Sequence, residues 1–217
     1  MDRQFRTIRQ SVTQPRPMLP ADVILSRSNG EKLLRLFKAT VETIGESDYS
    51  AVTVDEIASR AGIAKGTIFY RYGSKSQLMG EMLAIGVEAF LVSLRTSVDC
   101  ASSQDEVIRR SADALFAEVE SYSSFAKLLL AELWRPDRPW ADAIDQARGS
   151  IVNVFSDIVE CAGLVGRIEP ILFFSVCVTA ALDWVTFGSG EQGDRTQAVS
   201  ALAVMLRSLR TLSGTRA

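Results

Sequence analysis

The chain has 217 residues, 47% hydrophobic and 23% charged, with six prolines and 8% aromatics, a balance that suits a folded globular protein and argues against a disordered or β-rich one. The net charge of −2 hides an asymmetry: residues 1–82 hold 12 Lys/Arg against 9 Asp/Glu and residues 83–217 hold 12 against 17, a common offset that is also the one expected if only the N-terminal third meets phosphate. The sequence contains no histidine, which excludes His-based triads, His general acids and His metal ligands, and it has no GxxxxGK[ST] loop; no catalytic residue, metal or cofactor is therefore assigned.

Residues 1–26 are rich in Arg, Gln and Pro, lack periodicity and read as a flexible arm. Arg3, Arg6, Arg9 and Arg16 fit either a solvated tail or a phosphate or minor-groove contact. The arm has no apolar core of a signal peptide, and Cys100, Cys161 and Cys177 form no CxxC pair; reduced thiols in the cytoplasm are expected. A first folded region, the head, is expected over residues 27–73. Ser28-Asn29-Gly30-Glu31 fits a capping box, and Leu33, Leu34, Phe37, Val41 and Ile44 recur at helical steps, with Gly45 as the stop. Thr53 and Glu56 form a second box, opening a helix that turns Ile57 and Ala58 inward and ends before Gly62. A short third helix spans about Ala64 to Tyr72. Ser74 and Gln77 then open a longer helix with Leu78, Met82, Ile85 and Phe90 inward.

Residues 74–217 form the second region, the body. Helices are expected near 103–121, 124–134, 141–163, 168–187 and 194–212, with inward stripes such as Leu115/Phe116/Val119 and Val152/Phe155/Val159. No segment alternates, so the fold class is all-α with about nine helices. The run Ile171 to Leu182 is too short for a bilayer and suits an interface helix; no membrane partner is expected. Gly188 to Gly193 match GxGxxG literally but follow a helix, not a strand, and read as a loop. The carboxylate pairs Glu118/Glu120 and Asp142/Asp145 read as solvated.

The informative stretch is Thr53 to Lys75. Two short helices joined at Ala61-Gly62-Ile63 suit a helix-turn-helix, with Ile57, Ile63 and Ile68 locking the apolar side. Lys65, Thr67, Tyr70 and Arg71 remain on the other face, and such side chains bond phosphates and base edges or touch a thymine methyl. Phe69 and Tyr72 read as packing residues.

The segment VTVDEIASRAGIAKGTIFYRYGSKSQL resembles the TetR-family signature, with the match extending over about residues 33–79. The resemblance implies that Thr53 caps the second helix and meets a phosphate, that Lys65, Thr67, Tyr70 and Arg71 face the major groove, that Gly66 allows close approach, and that Lys75 neutralises a phosphate. Three departures stand out. Phe69 replaces the family's usual Tyr; Ala64 replaces a capping Ser, at about 1 kcal/mol of helix-start stability; Glu46-Ser47-Asp48 lengthen the loop before Tyr49.

The implied protein is a homodimeric regulator, commonly a repressor, released from a palindromic double-stranded DNA operator by a small hydrophobic effector. The last two helices should pair with their two-fold mates through Phe173, Cys177, Trp184, Leu202, Met205, Leu206 and Leu209. Phe116, Phe125, Leu129, Trp134, Trp140, Phe155, Phe174 and Trp184 are the candidate ligand-binding residues, and the break Trp134 to Trp140 a candidate pocket mouth. The alternative is a helical scaffold or ligand-binding protein that does not bind DNA.

Overall fold

The computed structural model describes residues 29–47, 49–99, 101–188 and 194–211. The Arg-bearing arm, Ser28, Cys100 and most of the glycine-rich run, residues 189–193, lie outside the described residues. Among the described residues there are nine α-helices and no strand.

Three helices make the head: α1 (Gly30–Glu46), α2 (Val54–Ala61) and α3 (Lys65–Tyr72). The body follows with α4 (Lys75–Val98), α5 (Gln104–Ser121), α6 (Ser123–Glu132), α7 (Ala141–Cys161), α8 (Pro170–Asp183) and α9 (Arg195–Thr211). A π turn, Trp184–Gly188, carries α8 onward, which corrects the reading of this segment as too short for a bilayer: the helix runs unbroken past Asp183 to Gly188. Lys75–Val98 and Pro170–Gly188 are both long and apolar enough, by length and composition, to cross a membrane. The first is the central body helix, packed against α5 and α7. The second keeps an apolar outer face that includes Leu172 and Phe187.

Local chemistry explains the head. At α2, Thr53 Oγ1 accepts from the Glu56 amide at 3.2 Å and the Thr53 amide donates to Glu56 Oε2 at 3.2 Å, the expected reciprocal box. The helix ends in a Schellman motif: Gly62, at φ 63°, donates to Ser59 O, and the Ile63 amide donates to Ala58 O at 3.0 Å. A Cβ at Gly62 would be strained by that φ even in open space. Ile57, Ala58, Ile63 and Ile68 are buried, clamping α2 against α3. At α4, Ser74 Oγ accepts from the Gln77 amide at 3.1 Å, while the Gln77 side chain meets Ser74 Oγ rather than its amide, so only one arm of that box forms.

Two helix ends differ from expectation. The N-cap of α1 is Asn29, in the left-handed region at φ 60° and with no side-chain cap, not Ser28. Gly45 does not stop α1, which runs on to Glu46; there the Glu46 carboxylate takes Arg60 of α2 at 2.7 Å. Ala64, as expected, offers α3 no side-chain cap.

Head and body share one core. Helix α1 packs along α6, and the Phe37 and Phe125 rings meet with centroids 5.3 Å apart.

Candidate DNA interface and effector cavity

The outer face of α3 carries the predicted contact residues into solvent. Lys65, Gly66, Thr67, Tyr70 and Arg71 are all exposed, Tyr70 at 95%, while Ile68 and Tyr72 are buried against the head core. An aromatic ring left this open has no folding role to perform, which makes it available to a partner. Nothing lies within 4 Å of a Cβ built on Gly66, so no packing within the chain requires a glycine there. Phe69 departs from its assignment as a packing residue: it is 41% exposed, with the Lys65 ammonium 5.8 Å from its ring centroid.

Lys65 also pairs with Asp55 at 2.6 Å, both side chains being at least half exposed. An exposed pair of this kind is worth about 0–1 kcal/mol, so a phosphate can displace Asp55 at little cost. Thr53 is exposed, but its hydroxyl serves the α2 cap. The Asp55 partnership joins two helices across the turn, and residue spacing within either helix carries no sign of it.

Lys75 is placed differently from a simple phosphate clamp. Its ammonium donates to Tyr49 O at 2.8 Å and Val52 O at 2.7 Å and lies 4.1 Å from the Tyr49 ring centroid. It closes the loop leading into α2, with one N–H left for a phosphate. Lys75→Ala is therefore expected to lower stability by about 1–3 kcal/mol through two carbonyls left without their donor, measured by urea denaturation, and to reduce the salt slope of DNA binding by about one.

In the body, a cavity of about 30 Å³ opens between apolar side chains; it is far below the roughly 300–1,000 Å³ of small-molecule sites, so a ligand larger than water must part its walls. Phe37 of the head forms one wall, Gly86 and Phe90 of α4 another. Phe125, Ala126 and Leu129 line it from α6, Phe174 and Val178 from α8. Gly86 permits the close approach of α1 and α6: a Cβ there would fall 2.4 Å from the Phe125 ring and 2.8 Å from the Phe37 ring.

Of the predicted ligand residues, Phe125, Leu129 and Phe174 line this cavity. The others have different work. Phe155 fills the core against Phe173 and Phe174. Phe116 packs on Trp184. Trp134 is exposed beneath Arg148, whose guanidinium lies 4.5 Å from its ring centroid. Trp140 is buried against Tyr49 and donates from Nε1 to Glu132 Oε2 at 3.1 Å. The Trp134 to Trp140 segment is thus a strut between body and head, not a pocket mouth.

Two polar groups enter the cavity wall, Tyr122 and Glu118. Glu118 is a correction: it is 5% exposed, whereas Glu120 is exposed and pairs with Arg195 at 3.2 Å. The Ser93 hydroxyl donates to Glu118 Oε1 at 2.5 Å, while Oε2 is buried without a partner. Burial pushes the carboxyl up to about 7, the Ser93 bond partly opposing it.

The predicted dimer residues also divide. Phe173, Cys177, Leu202 and Leu206 are buried within the protomer, so they cannot themselves face a two-fold mate; Trp184 and Leu209 are half-buried and Met205 is exposed. Leu172 of α8, Phe187 of the π turn and Val204 of α9 are, like Met205, large apolar side chains turned outward. The neighbouring helical positions face the other way, a rotation of about 100° per residue.

Residues 36–82 match the family model for bacterial regulatory proteins of the tetR family, a span that contains the capping box, the Gly62 turn and the exposed face of α3. The N-terminal head is that of the tetR-family regulatory proteins. Among curated proteins the chain is 25% identical over 104 residues to the uncharacterized HTH-type transcriptional regulator YerO of Bacillus subtilis (strain 168), covering 47% of this chain and 36% of that protein. It is 26% identical over 129 residues to the HTH-type transcriptional activator FasR of Mycolicibacterium smegmatis, covering 59% of each chain. The chain thus spans between about a third and three fifths of the length of the curated relatives it matches. Among solved structures, the fatty acid degradation regulator FadR of Bacillus halodurans superposes with a TM-score of 0.66 at 19% identity, covering 84% of this chain and 98% of that one. FadR of Bacillus subtilis, solved in complex with stearoyl-CoA, gives 0.66 at 18% identity, covering 84% and 99%. The TetR-like fold therefore extends well beyond the head.

Proposed function

We propose that this chain is a dimeric, sequence-specific transcriptional regulator of the TetR type, acting in the cytoplasm, that seats α3 in the major groove of a near-palindromic operator and releases it when a small hydrophobic effector enters the cavity. The observation that carries the reading is the outward face of α3, where Thr67, Tyr70 and Arg71 are exposed on a helix anchored by buried Ile68 and Tyr72. Relatives named as transcriptional regulators support it, and a neighbour solved with stearoyl-CoA supports an apolar ligand. FasR is named an activator; release of a repressor is the sense proposed for this chain.

Dimerisation supplies the second half-site. The outward apolar side chains of α8, the π turn and α9, Phe187 at 78% exposure among them, are the surface we assign to a two-fold mate. Pairing with a two-fold mate covers it and presents two recognition helices about 34–36 Å apart, or at a multiple of that spacing. Asp183, exposed on the same helix, suits a protein interface with a wet rim better than lipid.

The cavity sits where an effector can act. Phe37 belongs to the head and Gly86 and Phe90 to α4, so a ligand that wedges Phe37 from Phe125 pushes directly on the elements that carry α3. Coupling of this kind typically amounts to about 1–3 kcal/mol.

Selection of DNA by the purified protein from a random pool tests the reading. A palindromic or nearly palindromic consensus is expected, and recovery of no preferred sequence would favour the helical scaffold or ligand-binding alternative. On the selected site, Thr67→Ala and Arg71→Ala should each cost about 1–3 kcal/mol of binding. Both side chains are exposed, so unfolding free energy should change by no more than about 0.5 kcal/mol.

A further inference from the structure

The cavity wall is apolar except for one carboxyl and one phenol, and it includes no Lys or Arg. Glu118 reaches the wall from α5, and Ser93 of α4 occupies only Oε1. Oε2 is sealed from solvent with no donor to meet it. A buried acceptor left in this state costs free energy, and the cost is greatest when the group is ionised. A protein that tolerates such a group at a cavity has left half of a hydrogen bond for the molecule that enters.

The chemistry of that molecule follows. The acceptor calls for a donor, and the charge of the carboxylate favours a cationic donor. A carboxylate entering the same space would meet Glu118 as a like charge and find no cation in the wall to balance it. The aromatic and aliphatic remainder of the wall, with Phe90, Phe125 and Phe174 prominent, takes the apolar part of the ligand.

We propose that the cavity takes an apolar molecule whose polar group is a hydrogen-bond donor, an amine or a hydroxyl held by Glu118 Oε2, and turns away apolar molecules that end in a carboxylate. This rests on the reading of the cavity as the effector site and deepens it by naming the ligand class.

The test uses three probes with the same eight-carbon chain, octylamine, octanol and octanoate, titrated by calorimetry into the whole 217-residue chain at about pH 8.5, where Glu118 is ionised and octylamine is still a cation. Wild-type protein should bind octylamine at least about tenfold more tightly than octanoate, with octanol between them, since a hydrogen bond to a charged group is worth roughly that or more. In Glu118→Gln, which keeps an acceptor for Ser93 but loses the charge, octanol should still bind and the amine-to-carboxylate ratio should fall to within about threefold. Retained octanol binding and an unchanged circular dichroism spectrum show that the variant is folded. Equal binding of octylamine and octanoate by the wild type, or the same preference in Glu118→Gln, overturns the donor assignment while leaving an effector cavity in place. Failure of all three probes to bind overturns both the assignment and the reading of the cavity on which it rests.

Discussion

Trp140→Ala is expected to lower the unfolding free energy by about 3–5 kcal/mol, measured by urea denaturation. Trp140 is 4% exposed, and its ring meets the Tyr49 ring edge-on with centroids 4.3 Å apart, a geometry worth about 0.5–1.5 kcal/mol beyond the area it buries. Its Nε1 donates to Glu132, which is itself buried and is gripped on both oxygens by the Arg138 guanidinium at 3.0 Å. Truncation removes the ring, leaves a hole between loop and body, and takes one of three donors from a buried carboxylate. Trp140→Phe separates these losses: it keeps most of the ring packing and removes the Nε1 donor, so its cost should fall at about 1–3 kcal/mol. Equal costs for the two variants would mean that the hydrogen bond, not the ring, dominates.

The same substitution bears on regulation. Glu132 ends α6, the helix that supplies Phe125, Ala126 and Leu129 to the cavity. Tyr49, on the other side of Trp140, is tied through Lys75 to the loop that opens α2. Trp140 therefore joins a cavity wall to the base of the recognition unit. On the proposed function, Trp140→Phe should weaken the effect of ligand on operator affinity more than it weakens operator affinity itself.

The head was readable in sequence because its determinants are local. A hydroxyl three residues before a carboxylate, a glycine at a turn that needs positive φ, and apolar residues three and four apart each act within a few residues, and Thr53, Gly62 and Ile57 do what their spacing requires. The body offers no such signal. Phe155 fills the core and Phe125 lines a cavity, yet both are phenylalanines on amphipathic helices; only packing of distant helices separates them. On α8 apolar residues occur all round, so periodicity could not distinguish inward Phe173 and Cys177 from outward Leu172. Glu118 was legible in principle. It lies three residues after Leu115 and seven after Ser111, both buried, and so falls on the inward stripe, while Glu120 is turned about 200° away. That rotation, set by the helix and not by the two-residue spacing, buries one glutamate and exposes the other.

That buried carboxyl should also make stability depend on pH. Burial lifts Glu118 from the usual 4.5 to about 7, against the partly opposing Ser93 bond, so the folded chain holds the proton more tightly than the unfolded chain does. Its contribution to stability is present in full below about pH 4.5 and is lost as pH rises through 7, a change bounded by roughly 3 kcal/mol. Glu106 acts in the opposite sense: hydrogen bonds from Ser102, side chain first and then backbone, and from Arg110 hold it down at about 2, so its contribution is present above pH 4.5 and lost in acid. The two windows do not overlap above about pH 5, where the Glu118 effect can be read alone by comparing wild type with Glu118→Gln at about pH 5 and about pH 8.5. The variant should gain on the wild type by about 1–3 kcal/mol between those values, because a carboxamide at this position does not ionise; parallel profiles would show that Oε2 is solvated in solution. Tyr122 is the one other titratable group lining the cavity, and a bound amine would supply the partner that the proton otherwise supplies. Octylamine should therefore stabilise the wild-type chain more at the higher pH than at the lower, and octanol should show little such difference.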